Sequence, residues 1–128
     1  MPLFKNLPLK IAHEILALCK KCSYGRGELV IEQGDEADCM FFIKTGTVDV
    51  VLKNKGQVAT MGPGQFFGER ALFEDDQDVR TASVLASDEG DVHLLMLEKD
   101  DFIVLLEDFP AFAREVDSVS GGLSYIDE

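Results

Sequence analysis

Phe66-Phe67-Gly68-Glu69-Arg70-Ala71-Leu72-Phe73 and, past an acidic link from Glu74 to Val79, Arg80-Thr81-Ala82-Ser83-Val84 form the stretch around which the rest of the chain is arranged. The first block reads as the opening of a short helix. Gly68, lacking a Cβ, lets the backbone come close to a bound group. The amides that follow have no partners within their own helical turn and can point at an anion. Glu69 can accept hydrogen bonds from hydroxyls. Arg80 offers a planar cationic fork that matches a phosphate. A strand over residues 81–86 leads away from that arginine. One short segment thus combines amide donors, a hydroxyl acceptor and a phosphate-binding cation.

That set suits a cyclic nucleotide, which carries one anionic phosphate diester and one free ribose 2′-hydroxyl. The segment resembles the phosphate-binding cassette of cyclic-nucleotide-binding domains, which runs Phe-Gly-Glu-x-Ala-Leu, a short spacer, then Arg-[Thr/Ala]-Ala-[Ser/Thr]-Val. Two upstream blocks, Gly27-Glu28-Leu29-Val30-Ile31-Glu32-Gln33-Gly34-Asp35 and Met40-Phe41-Phe42-Ile43-Lys44-Thr45-Gly46-Thr47-Val48, resemble the early strands of the same family. Several blocks agreeing in order are more specific than a lone glycine motif. The resemblance spans about residues 3–116 of the chain.

The resemblance implies an α+β fold: an antiparallel β-barrel or jelly roll with flanking N- and C-terminal helices and a short phosphate-binding-cassette helix. It implies a ligand site made of Gly68, Glu69, Arg70, Ala71, Arg80, Thr81 and Ala82, with Val51 and Ala59 near the base. Glu69 would take the ribose and Arg80 the phosphate. Each has a plainer reading. Glu69 could be a first-turn acid stabilising a helix N-terminus. Arg80 could pair with Asp75, Asp76 or Asp78. Val51 and Ala59 could equally be core. Thr81 could satisfy a strand neighbour; in the family, a threonine here can hydrogen-bond the guanine of cGMP, yet it also occurs in channels that respond to cAMP.

Composition narrows the classes. The 128 residues suit one domain with one core. Hydrophobic residues make up 46 %, which points to a globular chain rather than a disordered one. No run reaches the roughly 18 apolar residues of a membrane span, so no membrane insertion is expected of this segment. The start, Met1-Pro2-Leu3-Phe4-Lys5, lacks the pattern of a signal peptide, and a cytoplasmic location is expected. The net charge of −12 argues against nucleic acid as a partner. It also means that local cations and amides must outweigh the field of the whole chain, which salt screens beyond about 8–10 Å. Cys19 and Cys22 form a lone CxxC-like pair, Cys39 is the third cysteine, and His13 and His93 stand apart. A zinc site or a cupin-like metal enzyme would need clustered ligands, so no metal or cofactor is expected beyond the ligand, cAMP or cGMP. No nucleophile–base constellation stands out. The reading is a binding module, not an enzyme.

Along the chain the periodicity predicts helical structure over residues 2–22, where Leu7, Ile11, Ile15 and Leu18 share one face and Pro8 sits in the first turn. A β-barrel is expected over residues 23–97. Turn signals at Gly34-Asp35, Gly46, Asn54-Lys55-Gly56 and Gly62-Pro63-Gly64 punctuate it, and Val48, Val50 and Leu52 alternate with Thr47, Asp49 and Val51. From Glu98 the helical period returns: Phe102, Leu105, Leu106 and Phe109 form a stripe, and Pro110 bends or ends that helix, where a second short helix can start. The resemblance makes residues 98–119 the hinge helices, with Leu72 and Phe102 as hinge contacts. Residues 120–128 are a tail in which Gly121-Gly122 breaks the helix, leaving Leu123, Tyr125 and Ile126 as lid positions.

Two departures stand out. Glu69 and Arg80 are 80 − 69 = 11 positions apart, longer than in most related sites, and the spacer Glu74-Asp75-Asp76-Gln77-Asp78 is strongly acidic. The host reading leans on Asp101-Phe102 and Leu105-Leu106-Glu107-Asp108-Phe109-Pro110, which resemble the regulatory domains of cyclic-nucleotide-regulated ion channels. Gly68-Glu69-Arg70-Ala71-Leu72 is shared with cyclic-nucleotide-dependent protein kinases, the alternative host. The expected partners are a cyclic nucleotide and the rest of the host protein. The expected output is a movement of the C-terminal helices.

Overall fold

The computed structural model describes residues 7–69 and 79–120. Helix α1 spans Leu9–Leu18, followed by strands β1 (Lys20–Tyr24), β2 (Leu29–Ile31), β3 (Cys39–Thr45), β4 (Val48–Leu52), β5 (Gly56–Met61), β6 (Phe66–Phe67), β7 (Ser83–Ala86) and β8 (Val92–Glu98). Helices α2 (Lys99–Asp108) and α3 (Pro110–Ser120) close the described chain. The strands make two four-stranded antiparallel sheets, ordered β1-β8-β3-β6 and β2-β7-β4-β5. This is a jelly roll with helices at both ends, the expected architecture.

The central strands divide the core by alternation. In β3, Cys39, Phe41 and Ile43 point between the sheets and pack with Val48, Val50, Phe67, Val84 and Leu94. Met40 and Phe42 point the other way and pack with Ile15, Leu97, Phe102 and Phe112 from the helices. That strand is buried over Cys39 to Ile43 because it carries apolar residues on both faces. Strand β4 shows the expected half-buried pattern, with Val48, Val50 and Leu52 buried. Asn54-Lys55-Gly56 forms the expected tight connection to β5, with Lys55 N donating to Leu52 O at 3.1 Å and Gly56 at φ 77°.

The helical reading of residues 2–22 is corrected at its end. Helix α1 stops at Leu18, and Lys20–Tyr24 is a strand paired along its length with β8. The reason is a change of period: Lys21 and Ser23 are exposed while Cys22 and Tyr24 pack against the barrel core. Cys19 therefore caps the end of α1 and Cys22 lies on β1, rather than both on one helix. Pro8 caps α1 rather than opening its first turn. Its buried face is Ala12 and Ile15, with Leu7 before it, whereas Leu18 is exposed. The strand expected from Thr81 begins at Ser83. The stripe of α2 packs as expected, with Phe102 and Leu105 buried and Leu106 and Phe109 half-buried against them. Pro110 opens α3.

Candidate functional site

The site gathers where four segments meet: the turn at Gly34–Asp35, the start of β3, the end of β6, and the residues entering β7. Glu36 and Val79 form an isolated antiparallel bridge that brings the last of these beside the first. Arg80 is fixed to that turn by its backbone, its N–H donating to Asp35 O at 2.7 Å and its carbonyl accepting from Gly34 N at 2.9 Å.

The side chain of Arg80 runs inward and is 4 % exposed. Its Nη1 donates to Gly68 O at 3.0 Å and its Nη2 to Cys39 Sγ at 3.4 Å. Gly68 directly follows β6, whose Phe66 and Phe67 pair with Phe42 and Phe41 of β3. Its φ of 88° lies in the left-handed region that glycine adopts without strain. A Cβ there would stand 2.8 Å from Arg80 Nη1, so the guanidinium needs the glycine as well as its carbonyl. Glu69, the next residue, is fully buried. Burying a carboxylate and a guanidinium in one small region costs solvation. A buried pair of this kind makes the position a candidate ligand site.

The structure thus brings Gly68, Glu69 and Arg80 together, as the sequence reading expected. Ala82 follows with its methyl in the barrel core, and Thr81 between them is exposed. Ala59 lies opposite Val50 at the half-buried fringe of the barrel core, while Val51, also half-buried, lies opposite Gln57. A bulge separates those two pairings, so Val51 and Ala59 are not cross-strand partners. The expected roles of Arg70, Ala71 and Leu72, the cassette helix and the acidic spacer fall outside the described residues, as do the lid positions Leu123, Tyr125 and Ile126.

Cys39 was missed by sequence reasoning. It lies 41 positions from Arg80, and no local pattern links the two. Burial pushes its thiol up to about 11, the Arg80 guanidinium pulls the other way, and the neighbouring Asp38 carboxylate adds to the rise. Among the described residues, no three His, Cys, Asp or Glu side chains come together to hold a metal ion. No described helix is long and apolar enough to cross a membrane.

The sequence profile of the cyclic nucleotide-binding domain matches residues 21–109. The chain belongs to that family. Its relatives include human cGMP-dependent protein kinase 2, 29 % identical over 98 % of this chain and 17 % of that protein. A second is a Rhodopseudomonas palustris protein described as a candidate potassium channel, 32 % identical over 95 % of this chain and 29 % of that protein. This cyclic nucleotide-binding domain therefore spans less than a third of the length of either relative. Among solved structures, the catabolite activator protein of Thermus thermophilus superposes with a TM-score of 0.81 at 27 % identity, covering 94 % of this chain and 57 % of that one. The regulatory subunit of a cAMP-independent protein kinase A from Trypanosoma brucei superposes at 0.82, covering 97 % and 43 %. At 21 % identity that likeness speaks to fold alone.

Proposed function

We propose that this domain is the ligand sensor of a longer protein, holding the phosphate of cAMP or cGMP through Arg80 and the ribose 2′-hydroxyl through Glu69. The observation that carries the reading is the contact of the buried Arg80 guanidinium with the carbonyl of Gly68, immediately before the buried Glu69. A cation and a carboxylate so placed match the two polar ends of a ribose cyclic phosphate. Gly68 and Ala82 shape the backbone around them, Arg70, Ala71 and Thr81 complete the pocket, and Val51 and Ala59 border the base. In this reading the domain binds and does not catalyse, and it works in the cytoplasm.

Arg80→Ala should weaken cyclic-nucleotide binding by about 2–5 kcal/mol, the usual loss when one partner of a desolvated charge pair is removed. Equilibrium titration of wild type and variant checks this. Equal affinities would remove Arg80 from the site. Thr81, exposed and next in sequence to Arg80, is the position to test for base choice. One hydrogen bond is worth about 0.5–1.5 kcal/mol, so Thr81→Ala should lower the cGMP-to-cAMP preference about two- to tenfold. An unchanged ratio would return Thr81 to a local structural role.

Two hosts fit. The segment from Asp101 to Pro110, which runs from α2 into the start of α3, favours an ion channel, and one relative is described as a candidate potassium channel. The similarity to cGMP-dependent protein kinases favours a kinase regulatory domain. In either, the signal would leave through α2 and α3.

A further inference from the structure

Arg80 is clamped from both sides. Gly68 O takes Nη1 at 3.0 Å and Cys39 Sγ takes Nη2 at 3.4 Å. Among the described residues, these contacts use two of the five N–H donors of the guanidinium. Cys39 is the first residue of β3 and is 7 % exposed, so its sulfur is fixed by the sheet rather than by solvent. The buried thiol is neutral at physiological pH, being pushed up to about 11. It therefore steadies the guanidinium without cancelling its charge. A carboxylate at that point would compete with phosphate for the same arm; a neutral sulfur is a weak acceptor.

We propose that Cys39 is a positioning residue for Arg80: its sulfur and the Gly68 carbonyl hold the two arms of the guanidinium so that its remaining donors are preset for the phosphate of a cyclic nucleotide. This rests on Arg80 being the phosphate ligand. The gain is preorganisation. A long side chain that is already ordered loses less freedom when the ligand arrives.

The test is equilibrium binding of cAMP and cGMP to the full chain and to Cys39→Ala, Cys39→Ser, Arg80→Ala and the Cys39→Ala/Arg80→Ala double variant. Thermal unfolding checks that each is folded. Cys39→Ala should weaken binding about two- to tenfold, the effect of one hydrogen bond. Cys39→Ser, which keeps an acceptor at the same place, should recover most of that loss. In the Arg80→Ala background the Cys39→Ala change should have no further effect, because the group it positions is gone. Should Cys39→Ala not fold, Cys39→Val makes the same comparison without a hydrogen-bonding atom. Wild-type binding by Cys39→Ala, equal losses in Cys39→Ala and Cys39→Ser, or an undiminished loss in the Arg80→Ala background would each overturn the proposal. Wild-type binding by Arg80→Ala would instead overturn the phosphate assignment itself.

Discussion

At Gly68 a single hydrogen atom in place of a side chain sets two things at once. Its φ of 88° costs an alanine roughly 1–2 kcal/mol, and a Cβ would stand 2.8 Å from Arg80 Nη1. Gly68→Ala should therefore lower unfolding stability by about that amount and, by pushing the guanidinium aside, weaken cyclic-nucleotide binding as well. Urea unfolding and ligand titration on the same variant check both. Full stability with unchanged affinity would mean that the backbone and guanidinium relax freely around the methyl. Gly68, Glu69 and Arg80 were legible as residue types, since a glycine turn, an acid and an arginine at set spacing each have a reason in ligand chemistry. The burial of Glu69 and Arg80 was not, because it depends on the packing of the whole fold, which for Arg80 includes the start of β3. Cys39 was invisible for the same reason: its contact with Arg80 exists only once β3 and the approach to β7 are side by side.

The elements were read well where the period was strong and poorly where it changed. The stripe of α2 and the alternation of β4 carried long enough patterns to survive folding. The segment from Lys20 to Cys22 did not, because three residues beside an amphipathic helix extend its apolar face by chance while pairing with β8 decides the outcome. The proposed output lies at this scale. Phe102 is fully buried and meets Phe112 edge-on, with ring centroids 6.1 Å apart, which ties α2 to α3. The first residue of α2 is tied to the site side, Lys99 N donating to Asp38 O at 2.8 Å beside Cys39. A ligand that moves Arg80 or the residues after Glu69 can bias these helices only by binding their two arrangements unequally. Spin labels at Asp88→Cys and Glu107→Cys, with Cys19 and Cys22 replaced by serine, should show a shifted distance distribution at saturating cyclic nucleotide. Phe102→Ala would cost about 3–5 kcal/mol of stability, so Phe102→Leu is the usable variant. It should keep binding while shrinking the shift. A wild-type distribution indifferent to ligand would leave a binding domain without a hinge.

The whole molecule carries a net charge of −12 yet must receive an anion. In the proposed reading the buried guanidinium answers this locally, while salt screens the distant acids. Protonation shapes the stability of the whole as well. Burial pushes both Cys19 and Cys39 up to about 11 from an ordinary 9.0. Between those values the folded chain keeps protons that the unfolded chain has lost, so stability is full below about pH 9 and falls as pH rises toward 11. Denaturant unfolding from pH 8 to 10.5 should follow that slope, and Cys19→Ser with Cys39→Ser should flatten it; equal slopes would place its cause elsewhere. The central claim is that the chain as a whole binds a cyclic nucleotide, and calorimetric titration of the wild-type protein in parallel with cAMP, cGMP and the linear nucleotide 5′-AMP tests it most directly. Saturable heat is predicted for at least one cyclic nucleotide, with weaker binding of 5′-AMP, whose phosphate is esterified at the 5′-oxygen alone and no longer closes a ring with the 3′-oxygen. Absence of saturable heat with both cyclic nucleotides, or 5′-AMP binding as tightly as they do, would contradict the account.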